Sequence, residues 1–255
     1  PDPVVNFSGV PGNGTVELSW SVPVDPRGNI NQDIVDYTLY RGTDILELDS
    51  LDLLAYQDST YLDDGGDAHL INGQEYHYVL IPQDTSGLYS PVNDTIAVVP
   101  LGGTMVAIDT VHNFGSVDHN ASASWSCIIA NPGNGTLTID TLFTSSAWYS
   151  VSDVSVTIPS GDSVTVMVNF APDITPGDLL DTLVITGDDL DNPELHILLS
   201  GESVWPVLEV SDEALSFGDV RVGVLKTLQL SLSNTGSDTL FVDSIYVSDS
   251  LSGFS

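Results

Sequence analysis

Apolar side chains fall at every second position in one short segment after another of this chain, and no long stretch shows the three-and-four spacing that builds a helical face. Val16, Leu18, Trp20 and Val22 alternate with Glu17, Ser19 and Ser21. The pattern returns at Val35, Tyr37 and Leu39, and again at Tyr76, Tyr78 and Leu80, with clusters of Gly, Asn, Asp and Pro between the segments. Successive side chains of an extended backbone point to opposite faces, so each segment predicts a strand with one face in a core and the other in water. Strands at this spacing predict antiparallel sandwiches rather than a parallel sheet, and the expected fold class is all-β.

Charge narrows the range of partners. The 255 residues hold 36 Asp and Glu against 4 Lys and Arg (Arg27, Arg41, Arg221 and Lys226), a formal net charge of -32. A polyphosphate partner needs a basic stripe to release its counterions, so nucleic acid is excluded, and docking on anionic lipid is disfavoured for the same reason. Asp outnumbers Glu 29 to 7 and sits mostly beside turn-forming residues, which suits a solvated surface or an exterior rich in screening cations. With 42% hydrophobic residues the chain is long enough for two or three domains, each with its own core. Cys127 is the single cysteine, so neither an intrachain disulfide nor a thiolate metal site is expected. No apolar run reaches the roughly 18 residues a membrane span needs, so direct membrane insertion is not expected. The chain opens PDPVVNFSG, without a charged and then apolar leader; on an exported protein the leader would be upstream or removed.

Over residues 1–100 the motifs Ser19-Trp20, DYTLYRG (Asp36 to Gly42) and LINGQEYHYVLIPQDTSGLYS (Leu70 to Ser90) stand in one order. On these the segment resembles a fibronectin type III domain. The resemblance implies that Trp20 packs in the core and that Leu70 and Tyr76, six residues apart, form a tyrosine corner whose phenol satisfies a backbone group. The acidic connection from Asp25 to Asp36 and the Ile81-Pro82 pair depart from that family, and no Arg-Gly-Asp tripeptide is present.

After Val99-Pro100 a short Gly-rich linker leads into an internal repeat. Phe114-Gly115-Ser116-Val117 returns as Phe217-Gly218-Asp219-Val220, Asn131-Pro132-Gly133 as Asn234-Thr235-Gly236, and Leu137 to Asp140 as Leu240 to Asp243, all offset by the same 103 positions. One fixed period of about a sandwich's length predicts a tandem array. The FGSV segment, NPGNGTLTI, IPSGDSVTVMVNFAP (Ile158 to Pro172) and DDLDNPELHILLSGE (Asp188 to Glu202) resemble the Hydin-type (ASH) immunoglobulin-like domain, also found in bacterial surface proteins of the choice-of-anchor D type. The expected organisation is a fibronectin type III-like sandwich at 1–100, an ASH-like sandwich at 104–203 and the first half of a second at 207–255, with continuation into further domains. Such a half sandwich is expected to expose an open core.

Two acidic clusters have the composition of a calcium site: Asp63, Asp64 and Asp67 around a Gly-Gly turn, and Asp188, Asp189 and Asp191 before Asn192-Pro193. Alternate carboxylates on a tight turn supply three or four of the roughly six to eight oxygens that Ca²⁺ takes. The alternative is that Asp, Asn and Gly simply make turns. A third acidic loop runs through Asp25, Asn29, Asn31, Asp33 and Asp36. Trp148, beside a core-facing Tyr149, is the candidate for stacking on a sugar ring. His69, His77, His112, His119 and His196 show no metal-ligand spacing and read as surface histidines, and Cys127, in the alternation Trp125, Cys127, Ile129, reads as a buried small hydrophobe. Asn6, Asn13, Asn93, Asn120 and Asn134 begin N-x-S/T sequons, expected to be exposed.

No motif for nucleophilic, metal-assisted or phosphate chemistry is present, and both resembled folds imply spacers and binding modules, so the chain is expected not to be an enzyme. No cofactor is required; Ca²⁺ is the one candidate. The expected role is a structural or adhesion scaffold, extracellular or on the cell surface, contacting a protein or a glycan. The alternatives are a glycan-binding accessory module of a polysaccharide-active enzyme and a calcium-dependent adhesin segment. The short linkers Val99-Pro100 and Val204-Trp205-Pro206 are expected to limit bending between modules.

Overall fold

The computed structural model describes residues 1–24, 33–92, 95–152, 155–173 and 177–247. The described residues are all-β, and no helix among them is long and apolar enough to cross a membrane.

Seven strands make the first sandwich: β1 (Val5–Gly12), β2 (Thr15–Ser21), β3 (Ile34–Asp44), β4 (Glu47–Ala55), β5 (Thr60–Asp63), β6 (Tyr76–Asp84) and β7 (Ile96–Val98). One sheet has the order β1-β2-β5 and the facing sheet β4-β3-β6-β7. Val16, Leu18 and Trp20 from the first meet Tyr37, Leu39, Tyr78 and Leu80 from the second, all buried. Each side chain so enclosed contributes about 1.5–3 kcal/mol. Leu70 is buried, and the Tyr76 hydroxyl accepts a hydrogen bond from the Ile71 N–H at 3.1 Å, which closes the tyrosine corner. The alternation slips at the start of β3. An irregularity in its pairing with β6 between Ile34 and Asp36 turns Ile34 into the core and leaves Val35 41% exposed, whereas strict alternation puts Val35 inside.

The second sandwich comprises β8 (Val106–Ala107), β9 (Val111–Asp118), β10 (Ala123–Ala130), β11 (Leu137–Phe143), β12 (Tyr149–Val151), β13 (Val156–Ile158), β14 (Ser163–Phe170), β15 (Gly177–Gly187) and β16 (Glu194–Val204). Its sheets run β12-β14-β10-β8 and β13-β11-β15-β16-β9, with β9 parallel to β16. Cys127, Ile129, Val166, Val168 and Phe170 face Leu137, Ile139, Leu183, Ile185, Ile197 and Leu199 across a buried apolar core. Cys127 is wholly buried, and burial pushes its thiol up to about 11. Beyond it, β17 (Leu208–Val210) and β18 (Leu232–Asn234) form a two-stranded pair. Phe241, Ile245 and Tyr246 are 84%, 73% and 80% exposed, with no second sheet over them among the described residues.

One half-buried ion pair, its carboxylate buried and its guanidinium reaching the surface, crosses the first sandwich. Asp63, at the end of β5, accepts hydrogen bonds from the Arg41 guanidinium of β3 at 2.6 Å, the Tyr78 hydroxyl of β6 at 2.8 Å and the Gly65 N–H at 3.1 Å. Burial, and then this bond to Asp63, push the Tyr78 phenol far above its ordinary range. Breaking a buried pair strands the partner charge in a low dielectric.

The two sandwiches meet through the linker, and its backbone is engaged almost residue by residue. Pro100 O accepts from the Gly73 N–H and from the Asn134 Nδ2, and the Leu101 N–H donates to Gly12 O. The Gly102 N–H donates to Asn134 Oδ1 at 3.1 Å, and Gly102 O accepts from the Gly135 N–H. Thr104 and Met105 donate to Asn131 Oδ1 and Asp189 Oδ2. Asn13 closes the joint from the other side: its Nδ2 donates to Asp188 O at 2.8 Å and its Oδ1 accepts from Asn72 Nδ2 at 2.8 Å. A Cβ on Gly102 would stand 1.9 Å from Asn72 Nδ2 and 2.4 Å from Asn13 Oδ1, so only glycine fits there.

Replacing Asp63 by Ala leaves a guanidinium and a phenol facing each other without an acceptor. Urea unfolding followed by Trp20 fluorescence is expected to show the first sandwich destabilised by about 2–4 kcal/mol.

Candidate interaction surface

The outer face of the five-stranded sheet of the second sandwich is where the alternating pattern leaves apolar residues uncovered. Leu198 on β16 pairs with Val111 on β9 and with Thr182 on β15; Leu180 pairs with Ser200, and Phe143 on β11 with Val184. These cross-strand neighbours share one face. Val111, Phe143, Leu180 and Leu198 are 58%, 49%, 69% and 57% exposed. They line a groove of about 600 Å³ rimmed by Ser145, Asp181 and Ser200. Apolar side chains clustered in this way on a sheet face, rather than scattered singly, make this groove the candidate contact surface.

The rim is fixed by one carboxylate. Asp181 accepts hydrogen bonds from the N–H and Oγ of Ser145 and of Ser146, in the β11–β12 connection, and from its own neighbour Thr182 N–H. Partial burial works against its charge, but the donors from Ser145, Ser146 and Thr182 outweigh it and hold the pKa down at about 2.

The acidic clusters do not assemble as ligand sets. Asp63 is buried in the ion pair described above, while Asp64 accepts from the Gly66 N–H and, with Asp67, faces water. In the second cluster Asp188 accepts from the Thr138 N–H at 2.7 Å. Asp189, 3% exposed, accepts from the N–H groups of Met105, Asp191 and Asn192. Asp191 instead reaches His69 across the joint at 3.5 Å. Asp63, Asp64, Asp188 and Asp189 thus already accept from protein donors, and among the described residues no three His, Cys, Asp or Glu side chains stand where they could hold a metal ion. Of the third acidic loop, Asp25, Asn29 and Asn31 lie outside the described residues.

Trp148 is half-buried rather than a free platform. It packs against the second core, and its carbonyl accepts from the Ala171 N–H at 2.8 Å, because the turn before β12 folds it inward. His112 is half-buried: its ring stacks on Trp125 at 4.3 Å and meets Phe114 edge-on at 4.6 Å, and burial lowers its pKa. His196 is exposed as expected. Of the sequon asparagines, Asn6, Asn120 and Asn134 are exposed, Asn134 while also bonded into the joint; Asn13 is half-buried there, and Asn93 lies outside the described residues. The groove was missed because its residues belong to strands whose other positions carry the core alternation. The signal was present in Leu198-Leu199 and Leu179-Leu180, adjacent pairs in which one leucine must face out.

Leu198→Ser is expected to change stability by less than about 1 kcal/mol, whereas Leu199→Ala, one residue on but wholly buried, costs about 2–5 kcal/mol; chemical denaturation of the two variants checks the contrast. For Asp181 the folded pKa lies below the unfolded value of 3.8, so its charge stabilises the fold above that pH and the contribution fades as pH falls towards 2. Melting curves of wild type and Asp181→Asn should differ by a constant gap above about pH 5 and converge by about pH 2.

Residues 105–202 match the family model of the HYDIN/CFA65/VesB-like Ig-like domain. Among solved structures, a protein of unknown function from Porphyromonas gingivalis aligns at 13% identity and a TM-score of 0.37, covering 78% of this chain and 98% of that one. The ASH/PapD-like domain 7 of human CEP192 aligns at 15% identity and a TM-score of 0.34, covering 48% and 96%. The sixth fibronectin type III domain of human fibronectin type III domain containing protein 3 aligns at 16% identity and a TM-score of 0.30, covering 40% and 87%. No curated protein matches the chain. The family-model match thus spans the second sandwich, which is similar to Ig-like domains of the HYDIN/CFA65/VesB type.

Proposed function

We propose that this chain is a non-catalytic scaffold segment of an extracellular or cell-surface protein, in which Ig-like modules hold a fixed spacing and present a contact surface. The joint carries the reading. A linker whose N–H and C=O groups are bonded to both neighbours, with Asn13, Asn72 and Asn134 bridging, sets one relative orientation of the two sandwiches. A flexible tether would leave those groups to water.

The groove of Val111, Phe143, Leu180 and Leu198 supplies the contact surface. Its lining is mainly aliphatic and Asp181 is already saturated, which suits a protein side-chain surface better than a sugar ring. At a net charge of -32 the chain repels a second copy of itself, so the favoured partner presents apolar and basic side chains. The same acid excess suits an exterior in which cations screen it.

Residual dipolar couplings measured on backbone amides of both sandwiches are expected to fit one alignment frame in the wild type. Gly102→Ala, which places a methyl group against Asn72 and Asn13, is expected to split them into two frames without lowering the melting temperature of either sandwich. Two independent frames in the wild type would refute the fixed spacing.

A further inference from the structure

The chain contains three Asn-Gly dipeptides, Asn13-Gly14, Asn72-Gly73 and Asn134-Gly135, and all three lie in the joint. Two of them sit in the same pentapeptide, Pro-Gly-Asn-Gly-Thr, at 11–15 in the first sandwich and 132–136 in the second. Asn-Gly is the dipeptide most open to spontaneous deamidation, because a glycine without Cβ lets its backbone nitrogen approach the preceding side-chain amide unhindered. That nitrogen attacks the Asn Cγ. A C–N bond forms, the Cγ–Nδ2 bond breaks, and ammonia leaves with the glycine proton. Water then opens the resulting cyclic imide to aspartate or isoaspartate. No redox partner is needed.

In the docked molecule every one of the three attacking nitrogens is already spent. The Gly14 N–H donates to Asn72 Oδ1 at 2.9 Å, the Gly73 N–H to Pro100 O at 2.9 Å and the Gly135 N–H to Gly102 O at 2.9 Å. The side chains are held as well. Asn13 is gripped by Asp188 O and Asn72, Asn72 by the Gly14 N–H and Asn13, and Asn134 by the Gly102 N–H and Pro100 O. Cyclisation requires both groups to leave these partners and turn toward each other, so it proceeds only from a locally opened joint.

We propose that the joint is a latent modification site: the bonds made where the two sandwiches and the linker meet hold three labile Asn-Gly pairs away from cyclisation, and deamidation at Asn13 or Asn134, whose side chains bond the second sandwich or the linker, opens the joint irreversibly. The products explain the direction. At Asn13 and Asn134 a carboxylate oxygen would replace an Nδ2 donor and face the carbonyl of Asp188 or of Pro100, oxygen against oxygen. At Asn13 the new charge would also stand against Asp188 in a chain already at -32. Since Asn13-Gly14 and Asn72-Gly73 each rely on groups of the other, loss of one exposes its partner. The inference shares the docked joint with the proposed spacer but not the spacer's role.

The test is an ageing time course of the full chain at mildly alkaline pH, with peptic peptides spanning the three sites followed by mass spectrometry, native and in concentrated urea. The native chain is expected to deamidate at each site about tenfold or more slowly than the unfolded one. Asn72→Ala removes the acceptor for the Gly14 N–H and the donor to Asn13, and is expected to accelerate Asn13 about tenfold. Asn134→Asp is expected to split the residual dipolar couplings of the two sandwiches into separate frames, while Asn120→Asp, exposed and away from the joint, leaves them in one. Equal native and unfolded rates overturn the shielding, and a single frame in Asn134→Asp overturns the opening. A wild type that shows one frame yet deamidates at the unfolded rate sinks this inference and leaves the fixed spacing standing.

Discussion

An amide side chain with no exposed surface, Asn131, organises the end of the second sandwich where the chain enters it. Its Oδ1 accepts from the Thr104 and Gly133 N–H groups, and its Nδ2 donates to Gly135 O and Ile158 O. A buried amide left unpaired is costly, so all of these partners must be in place together. That requirement fixes the path of the linker, which lets Gly102 meet Asn134 and Pro100 meet Gly73. The same hook recurs one repeat later. Asn234 accepts from the Val207 and Gly236 N–H groups and donates to Asp238 O, each partner displaced by the repeat period. The repeated Asn-x-Gly therefore encodes how a module begins as well as a turn.

A chain with so few cations must stabilise its carboxylates by other means. Asp63 uses Arg41, but Asp84, Asp181, Asp188 and Asp189 rely on N–H and O–H donors from turns and strand ends. Asp suits this better than Glu, since its short side chain reaches the backbone one to three residues on. The excess of Asp over Glu is thus a structural preference as well as a source of solubility. It also explains why acidic clusters that look like cation sites are internally satisfied.

Most of the core was legible from spacing alone. Val16, Leu18, Tyr37, Leu39, Tyr78, Cys127 and Ile129 are buried where period two puts them. Alternation failed where the ladder is irregular, as at Ile34 and Val35, because a bulge changes the facing of a strand without changing its composition. At β5 the usual preference is inverted: Leu62 is 58% exposed and Asp63 is buried. A clue to that inversion was Arg41, which continues the inward series of Tyr37 and Leu39 and so needs an acid opposite. The joint was not legible. Asn-Gly reads as a turn wherever it occurs, and nothing in one strand-turn-strand unit announces that its turn will bond to another sixty or a hundred residues away. The groove residues are apolar on both faces of β15 and β16, a pattern that says the sheet is covered but not by what.

The parallel pairing of β9 with β16 bears on how the module behaves under load. These strands lie next to the entry and the exit of the sandwich, and they run in the same direction. Tension applied through the neighbours pulls the start of one backwards and the end of the other forwards. The ladder between them, from Val111–Leu198 to Asp118–Val204, is then strained in shear, with its hydrogen bonds loaded together instead of parting one by one. A domain wired in this way resists stretching better than one whose terminal ladder parts bond by bond.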